Sequence, residues 1–255
     1  MGMTPSPPGT LYLIPSNLAE GDVAWTVPPG VRQRIASLTR FIVEDAKSAR
    51  RYLKRLATDV PLQSLSLATL NEHTRPEEIP RLAEPLLAGN DVGLLSEAGC
   101  PAVADPGARL VRHAHASGVK VVPLVGPSAL LLALMASGLN GQRFAFHGYL
   151  PPETAGREHK LKELETQSRL HDQTQMVIET PYRNRALFES LVRVLRPDTL
   201  LCIAADLTGA AETIRTQPIA AWARKRPDIE RRPAVFLFYA ADSQTSQRSS
   251  RTRST

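Results

Sequence analysis

Two short loops of small residues offer the clearest chemistry in this chain: Ser96-Glu97-Ala98-Gly99-Cys100-Pro101 and Gly126-Pro127-Ser128-Ala129. Glycine and small side chains let a backbone come close to a ligand. Each loop follows a short apolar run that reads as a strand. Open α/β sheets bind ligands at the carboxyl ends of parallel strands, so two such loops on adjacent strands are expected to flank one crevice. Either loop alone also fits a plain strand-to-helix turn, and Ser128 fits a helix cap. Asp105-Pro106-Gly107 reads as an N-cap with proline at the first helical position.

The ligand is not expected to be held through a phosphate cradle. The sequence has no G-x-x-x-x-G-K-[ST], and the first strand runs into Pro15-Ser16-Asn17-Leu18 rather than G-x-G-x-x-G. Glu179 at the end of a later strand and Asp206-Leu207-Thr208-Gly209 after another are further candidates, with Thr180 fitting a helix cap. His113 and His115 stand two apart and point in different directions, and His73, His147 and His159 are isolated. None is read as a metal ligand.

A second feature is electrostatic. Lys47, Arg50, Arg51, Lys54 and Arg55 fall within roughly 140° of one helical face, with Ala49, Tyr52, Leu53 and Leu56 on the other. Such a face is either solvated or turned toward an anionic partner.

The elements that must position these residues alternate. Strands are expected at Leu11–Ile14, Phe41–Val43, Asp91–Leu95 and Val119–Pro123. Helices are expected near Val31–Leu38, Ala46–Ala57, Pro76–Ala88, Pro106–Ser117 and Ser128–Ser137. That rhythm predicts a mostly parallel, doubly wound sheet. Beyond Gly138 it changes. A strand at Phe144–Phe146 and a turn at Tyr149–Pro152 precede a charged helix over Arg157–Gln167, with Glu158 and Lys162 spaced as an i,i+4 pair. Strands at Gln175–Glu179, Leu200–Ala204 and Ala234–Tyr239 follow, with helices near Asn184–Val194 and Pro218–Arg224.

The 255 residues suffice for one large domain or two smaller ones. No apolar run reaches the ~18 residues of a membrane span. The start reads unlike a signal peptide, and Cys100 and Cys202 form neither a disulfide framework nor a zinc cluster, so a cytoplasmic location is expected. A net charge of +6 is compatible with a nucleic-acid partner without requiring one. Residues 242–255 hold no apolar residue to bury and are expected to be disordered.

With GTLYLIP, FIVEDAKSAR, SEAGCPAVADPG, VVPLVGPSAL, FAFHGYLP and DLTGAAETI in this order, the chain resembles the tetrapyrrole methylase superfamily of S-adenosylmethionine-dependent methyltransferases. Within it, the branch of ribosomal RNA small subunit methyltransferase I is most similar. The resemblance runs from Gly9 to Tyr239. It implies the two-domain α/β fold of class III S-adenosylmethionine methyltransferases. Residues 9–124 would form a mostly parallel sheet, residues 125–241 a mixed sheet, and the cofactor would lie between the domains. It implies donor contacts at Pro15, Ser96, Gly99, Cys100, Pro101, Val103, Ala104, Ser128, Ala129, Glu179, Thr180, Leu207 and Ala234, with S-adenosylhomocysteine as product. It also implies a homodimer, and an rRNA substrate methylated at a ribose 2′-oxygen. The sequence departs from the family pattern at Glu97 (usually aspartate), Cys100 (usually threonine) and Lys47 (usually arginine).

Methyl transfer from a sulfonium needs alignment and water exclusion, and a ribose hydroxyl benefits from a base. Glu44, Asp45 and Glu97 are the candidate carboxylates. Lys47, Arg50, Arg51 and Lys54 are the candidate RNA contacts. Two alternatives stay open: a small-molecule methyltransferase acting on a tetrapyrrole-like ring, and a non-catalytic S-adenosylmethionine-binding module. Only 5% of residues are aromatic, which tilts against a large ring pocket.

Overall fold

The computed structural model describes residues 7–56 and 58–241. The expected disorder of residues 242–255 concerns a segment outside the described residues. The chain divides into two compact units, one ending at Ser128 and the other beginning at Ala129.

The first unit runs β1 (Thr10–Ile14), α1 (Val23–Thr26), α2 (Pro29–Ala36), β2 (Arg40–Val43), α3 (Ala46–Arg55), β3 (Ser66–Thr69), α4 (Ile79–Leu87), β4 (Val92–Leu95), α5 (Ala108–Ala116) and β5 (Lys120–Pro123). Its strands pair in the order β3-β2-β4-β1-β5, all parallel. Alternate residues of these strands feed two cores, as the two-residue period of a strand requires. Tyr12, Ile14, Phe41, Val43 and Leu95 pack with Ile35 of α2 and Leu53 of α3 on one face. Leu11, Ile42, Val92 and Leu94 pack with Leu86 of α4 and Leu110 of α5 on the other. A sheet covered on both faces explains why its strands read as continuous apolar runs.

The strand order corrects one expectation. β4 and β5 are not neighbours, because β1 lies between them. The chain leaves β2 toward β3 on one side and β4 toward β5 on the other. The point where connections diverge is therefore between β2 and β4, at Val43 and Leu95.

The second unit runs α6 (Ala129–Ser137), β6 (Phe144–Tyr149), α7 (Thr154–His171), β7 (Thr174–Ile178), α8 (Asn184–Val194), β8 (Leu200–Ala205), β9 (Thr213–Pro218), α9 (Ile219–Trp222) and β10 (Ala234–Tyr239). Its sheet is mixed, in the order β6-β7-β10-β8-β9, with only β6 and β7 parallel. Leu161 and Leu164 of α7, Leu187 and Leu191 of α8, and Phe236 and Phe238 of β10 are central to its core. Glu158 reaches Arg193 at 3.0 Å, so its partner is on the neighbouring helix rather than at the expected Lys162.

β3 and β9 went unread in the sequence. Both are edge strands. With no partner on one side they keep polar, half-exposed residues (SLAT and TIRTQP), and the apolar run that marks an inner strand is missing.

Candidate functional site

Three loops are bound together at the carboxyl ends of β1, β4 and β5. Ser16 and Gly99 exchange backbone hydrogen bonds in both directions, at 2.8 and 3.1 Å. The buried Ser16 hydroxyl donates to the Ser96 carbonyl at 2.7 Å. The Cys100 thiol donates to the Pro127 carbonyl at 3.4 Å. So the loops after β4 and β5 do meet, although their strands are not adjacent. Pro15 fills the space beside Gly126, where an added Cβ would come within 2.3 Å of its ring. Gly99 takes φ +72, a left-handed conformation that glycine adopts without steric cost.

Ala102 and Ala104 lie in the left-handed region too, at φ 65 and 62. For residues carrying a Cβ this costs on the order of 1 kcal/mol each. The two left-handed residues give this loop an irregular, tightly turned backbone. Val103 between them is exposed, as is Ala104, while Pro101 is buried.

The carboxylates gather where the connections diverge. Glu44, just past β2, accepts from the Glu97 backbone N–H at 3.3 Å. Burial raises its pKa. The hydrogen bond from the Glu97 backbone opposes the rise, and the charges of Glu97 and Glu72 add to it. Glu97 itself is exposed and accepts from the Ser48 hydroxyl at 3.1 Å. Asp45 is committed elsewhere. It caps α3, accepting from the Lys47 and Ser48 N–H groups at 3.1 and 2.7 Å. Those bonds, Ser48 foremost, hold its pKa down. Its Oδ1 thus serves the helix terminus.

Asp105 lies near this cluster, close enough for the Glu44 and Glu97 charges to act on it. The sequence suggested it as the cap of α5, but the N-cap is Gly107 at φ 138, and the helix begins at Ala108 without a side-chain cap. Half-buried, Asp105 has its pKa pushed up to about 6 by burial and then by the Glu44 charge. A hydrogen bond with Ser96 opposes this, and Glu97 adds to it. A carboxyl that titrates near 6 is suited to proton transfer close to neutral pH. The same pair of effects, burial first and Asp105 second, raises the Cys100 pKa, which keeps it a neutral hydrogen-bond donor rather than a thiolate.

Helix α3 borders this cluster. Lys47, Arg50, Arg51, Lys54 and Arg55 are exposed, and Ala49, Tyr52, Leu53 and Leu56 are buried, which is the division the periodicity predicts. Tyr52 donates its hydroxyl to the Pro15 carbonyl at 2.7 Å, and burial drives its pKa up to about 12. The Arg55 guanidinium donates to the Gly21 carbonyl. Among the described residues, Arg50, Arg51 and Lys54 form no ion pair.

In the second unit, Glu179 follows β7, Leu207 follows β8, and Ala234 opens β10. Antiparallel pairing brings these ends together, through Val235 opposite Ile178 and Ala234 opposite Ala205. Thr180 does not cap the following turn with its side chain. Instead the buried Glu179 carboxylate accepts from the Thr180 N–H at 2.7 Å and from Arg183 Nη2 at 2.7 Å. Asp206 and Thr208 around Leu207 are left-handed, at φ 50 and 67. Ser128 and Ala129 sit at the junction of the two units, Ala129 as the first residue of α6.

A family model described as Tetrapyrrole (Corrin/Porphyrin) Methylases matches residues 25–223. The chain belongs to the tetrapyrrole methylase family. Ribosomal RNA small subunit methyltransferase I of Pseudomonas aeruginosa is 32% identical over 232 residues, covering 90% of this chain and 78% of that protein. Its namesake from Vibrio cholerae is 33% identical over 211 residues, covering 82% and 69%. A crystal structure of the methyltransferase CobJ superposes with a TM-score of 0.59 over 92% of this chain and 94% of its own, at 19% identity, and so shares the fold. This tetrapyrrole methylase is thus an S-adenosylmethionine-dependent methyltransferase. Among its described residues no helix is long and apolar enough to cross a membrane. The surroundings of Asp105 and Tyr52 are what sequence reasoning missed. For Tyr52 a signal existed, a lone tyrosine on the buried face of a basic helix.

Proposed function

We propose that this methyltransferase transfers a methyl group from S-adenosylmethionine to a ribose 2′-hydroxyl of small-subunit ribosomal RNA. One observation carries the reading: a helix with five exposed cations is tied by the Tyr52 hydroxyl to the loops that end β1, β4 and β5. Anion-binding side chains and half-buried carboxylates are then side by side, as a polyanion bearing a weakly acidic hydroxyl requires. The names of the relatives support the choice of rRNA.

The donor fits what the first unit offers. S-Adenosylmethionine has no phosphate to cradle, and it needs main-chain groups at close range. Pro15, Gly99, Cys100, Pro101, Val103, Ala104 and Ser128 supply small side chains and a loop held in left-handed turns. The carbonyls and N–H groups there would fix the nucleoside and the amino-acid end. Bound there, the donor supplies an already activated methyl group.

The chain's own residues do the rest. Asp105, with Glu44 beside it, accepts the hydroxyl proton. Lys47, Arg50, Arg51 and Lys54 bind the RNA backbone. Incubating the protein with methyl-labelled donor and small ribosomal subunits or naked rRNA from cells lacking it should place label on one nucleotide, in a form that withstands alkaline hydrolysis. Label that survives ribonuclease treatment in a small molecule would overturn the rRNA assignment. The absence of donor binding in calorimetry would remove the cofactor assignment as well.

A further inference from the structure

A cavity of ≈ 590 Å³ opens between the loop of residues 16–21 and helix α3, on the first unit alone. Its size lies within the roughly 300–1,000 Å³ typical of small-ligand pockets. Its lining is chemically mixed: Arg51, Arg55 and Ser48 come from α3, with Asn17 and Glu97 from the loops. The carboxylate and hydroxyl are mutually engaged, Ser48 donating to Glu97 at 3.1 Å. Arg55 holds the loop in place through the Gly21 carbonyl, whereas Arg51 forms no ion pair with any described residue.

The same loop carries an anomaly. Trp25 is 83% exposed, in a chain with two tryptophans and 5% aromatic residues. It sits on α1, which Asp22 caps through the Ala24 N–H at 2.9 Å. The Thr26 hydroxyl fastens α1 back to the cavity by donating to the Asn17 side chain at 2.8 Å. A large indole presented to solvent on the short helix that follows this loop, together with cations lining the cavity, matches the composition of a single-strand platform, where bases stack on aromatic faces and cations follow the backbone. Cations, a carboxylate and a hydroxyl lining one cavity offer partners for both parts of a nucleotide, its phosphate and its ribose diol.

We propose that this cavity receives one nucleotide of the substrate RNA, its phosphate on Arg51 and Arg55, its ribose toward Glu97 and Ser48, and a neighbouring base stacked on Trp25. The proposal rests on the RNA methyltransferase reading and deepens it, naming a recognition pocket for the single strand.

The two tryptophans make the test selective. Trp222 is 4% exposed, with its indole N–H donated to the Leu201 carbonyl at 2.9 Å, so a stacking base can quench only Trp25. Titration of the full chain with a single-stranded oligouridylate should quench its fluorescence, and Trp25→Phe should abolish that signal. Trp25→Ala should weaken binding by roughly 5- to 100-fold, the range of one base–aromatic stack, and Arg51→Glu should weaken it and lower its salt dependence. Because Trp25 is exposed, its variants should keep the wild-type melting temperature. Absence of quenching in the wild type, or an unchanged KM for rRNA in Trp25→Ala and Arg51→Glu, would overturn the pocket. So would saturable quenching by uridine monophosphate but not by the oligonucleotide. The parent reading is judged separately, by wild-type methyl transfer to rRNA, which continues if only the pocket is wrong.

Discussion

The Tyr52 hydroxyl donates a 2.7 Å hydrogen bond to the Pro15 carbonyl, which locks the buried face of α3 to the end of the inner strand β1. Tyr52→Phe keeps the ring and leaves that carbonyl without its partner. The expected cost is about 1–3 kcal/mol, the penalty of an unmet buried polar group. A urea titration would show it as a lower midpoint at unchanged slope, and a midpoint equal to wild type would mean that water replaces the phenol.

Gly126 is closed to any side chain because the Pro15 ring occupies the place of its Cβ, 2.3 Å away. Gly126→Ala should displace Pro15 and cost about 1–3 kcal/mol, as overpacked sites do. Donor affinity should fall by at least about tenfold, equivalent to 1.4 kcal/mol. Gly30→Ala, where nothing lies within 4 Å, serves as the comparison. Calorimetry that finds equal donor affinity in both variants would place the donor away from this loop.

Asp105 governs the expected pH dependence. Its folded pKa of about 6 is above its ordinary 3.8, so the folded chain binds this proton more tightly than the unfolded one. The resulting stability is full below the ordinary value and is lost as pH rises through about 6. Asp105→Asn should therefore flatten that part of the stability profile. As a base, Asp105 also predicts that methyl transfer falls below pH about 6, and that the asparagine variant loses most of the activity. Glu44→Gln removes one of the charges that raise Asp105 and should move the acidic limb of kcat/KM to lower pH. A limb that stays in place would mean Asp105 is not the titrating group.

Arg50 and Lys54 test the electrostatic half of the proposal, since both are exposed on α3 and outside the cavity. Each phosphate that is no longer neutralised should reduce the slope of log affinity against log salt by about 0.7 for a single strand. The double variant Arg50→Glu/Lys54→Glu should thus bind rRNA more weakly with a visibly flatter slope. An identical slope would remove this face from the RNA surface.

The sequence made the inner strands legible because both of their faces are buried: VGLL and LYLI are runs that solvent would not tolerate. The helical face of α3 was legible for a related reason, since its cations and apolar residues separate cleanly at 3.6 residues per turn. β3 and β9 were not, because SLAT and TIRTQP mix polar residues through the strand and show no apolar run. The strand order was hidden because a local pattern does not show a strand's neighbours, and with it the fact that β1 separates β4 from β5. At the site, Gly99 and Cys100 could be picked out by type and spacing. Asp105 was misread because Asp-Pro-Gly is also good turn chemistry, and only the fold reveals the burial and the Glu44 charge that change its acidity. Asp45 concealed a structural duty instead. Its type suited a base, but its position at the start of α3 gave the backbone first claim on it.

The paired Ser16–Gly99 bridge runs through main-chain atoms on both sides. Apart from the left-handed turn that favours glycine at 99, these two bonds use no side-chain atom. The side chains of Glu97 and Cys100 take no part in either bond. A substitution at 97 or 100 should therefore leave the first and fourth strands' loops joined, so that loss of the join can be ascribed to the backbone alone.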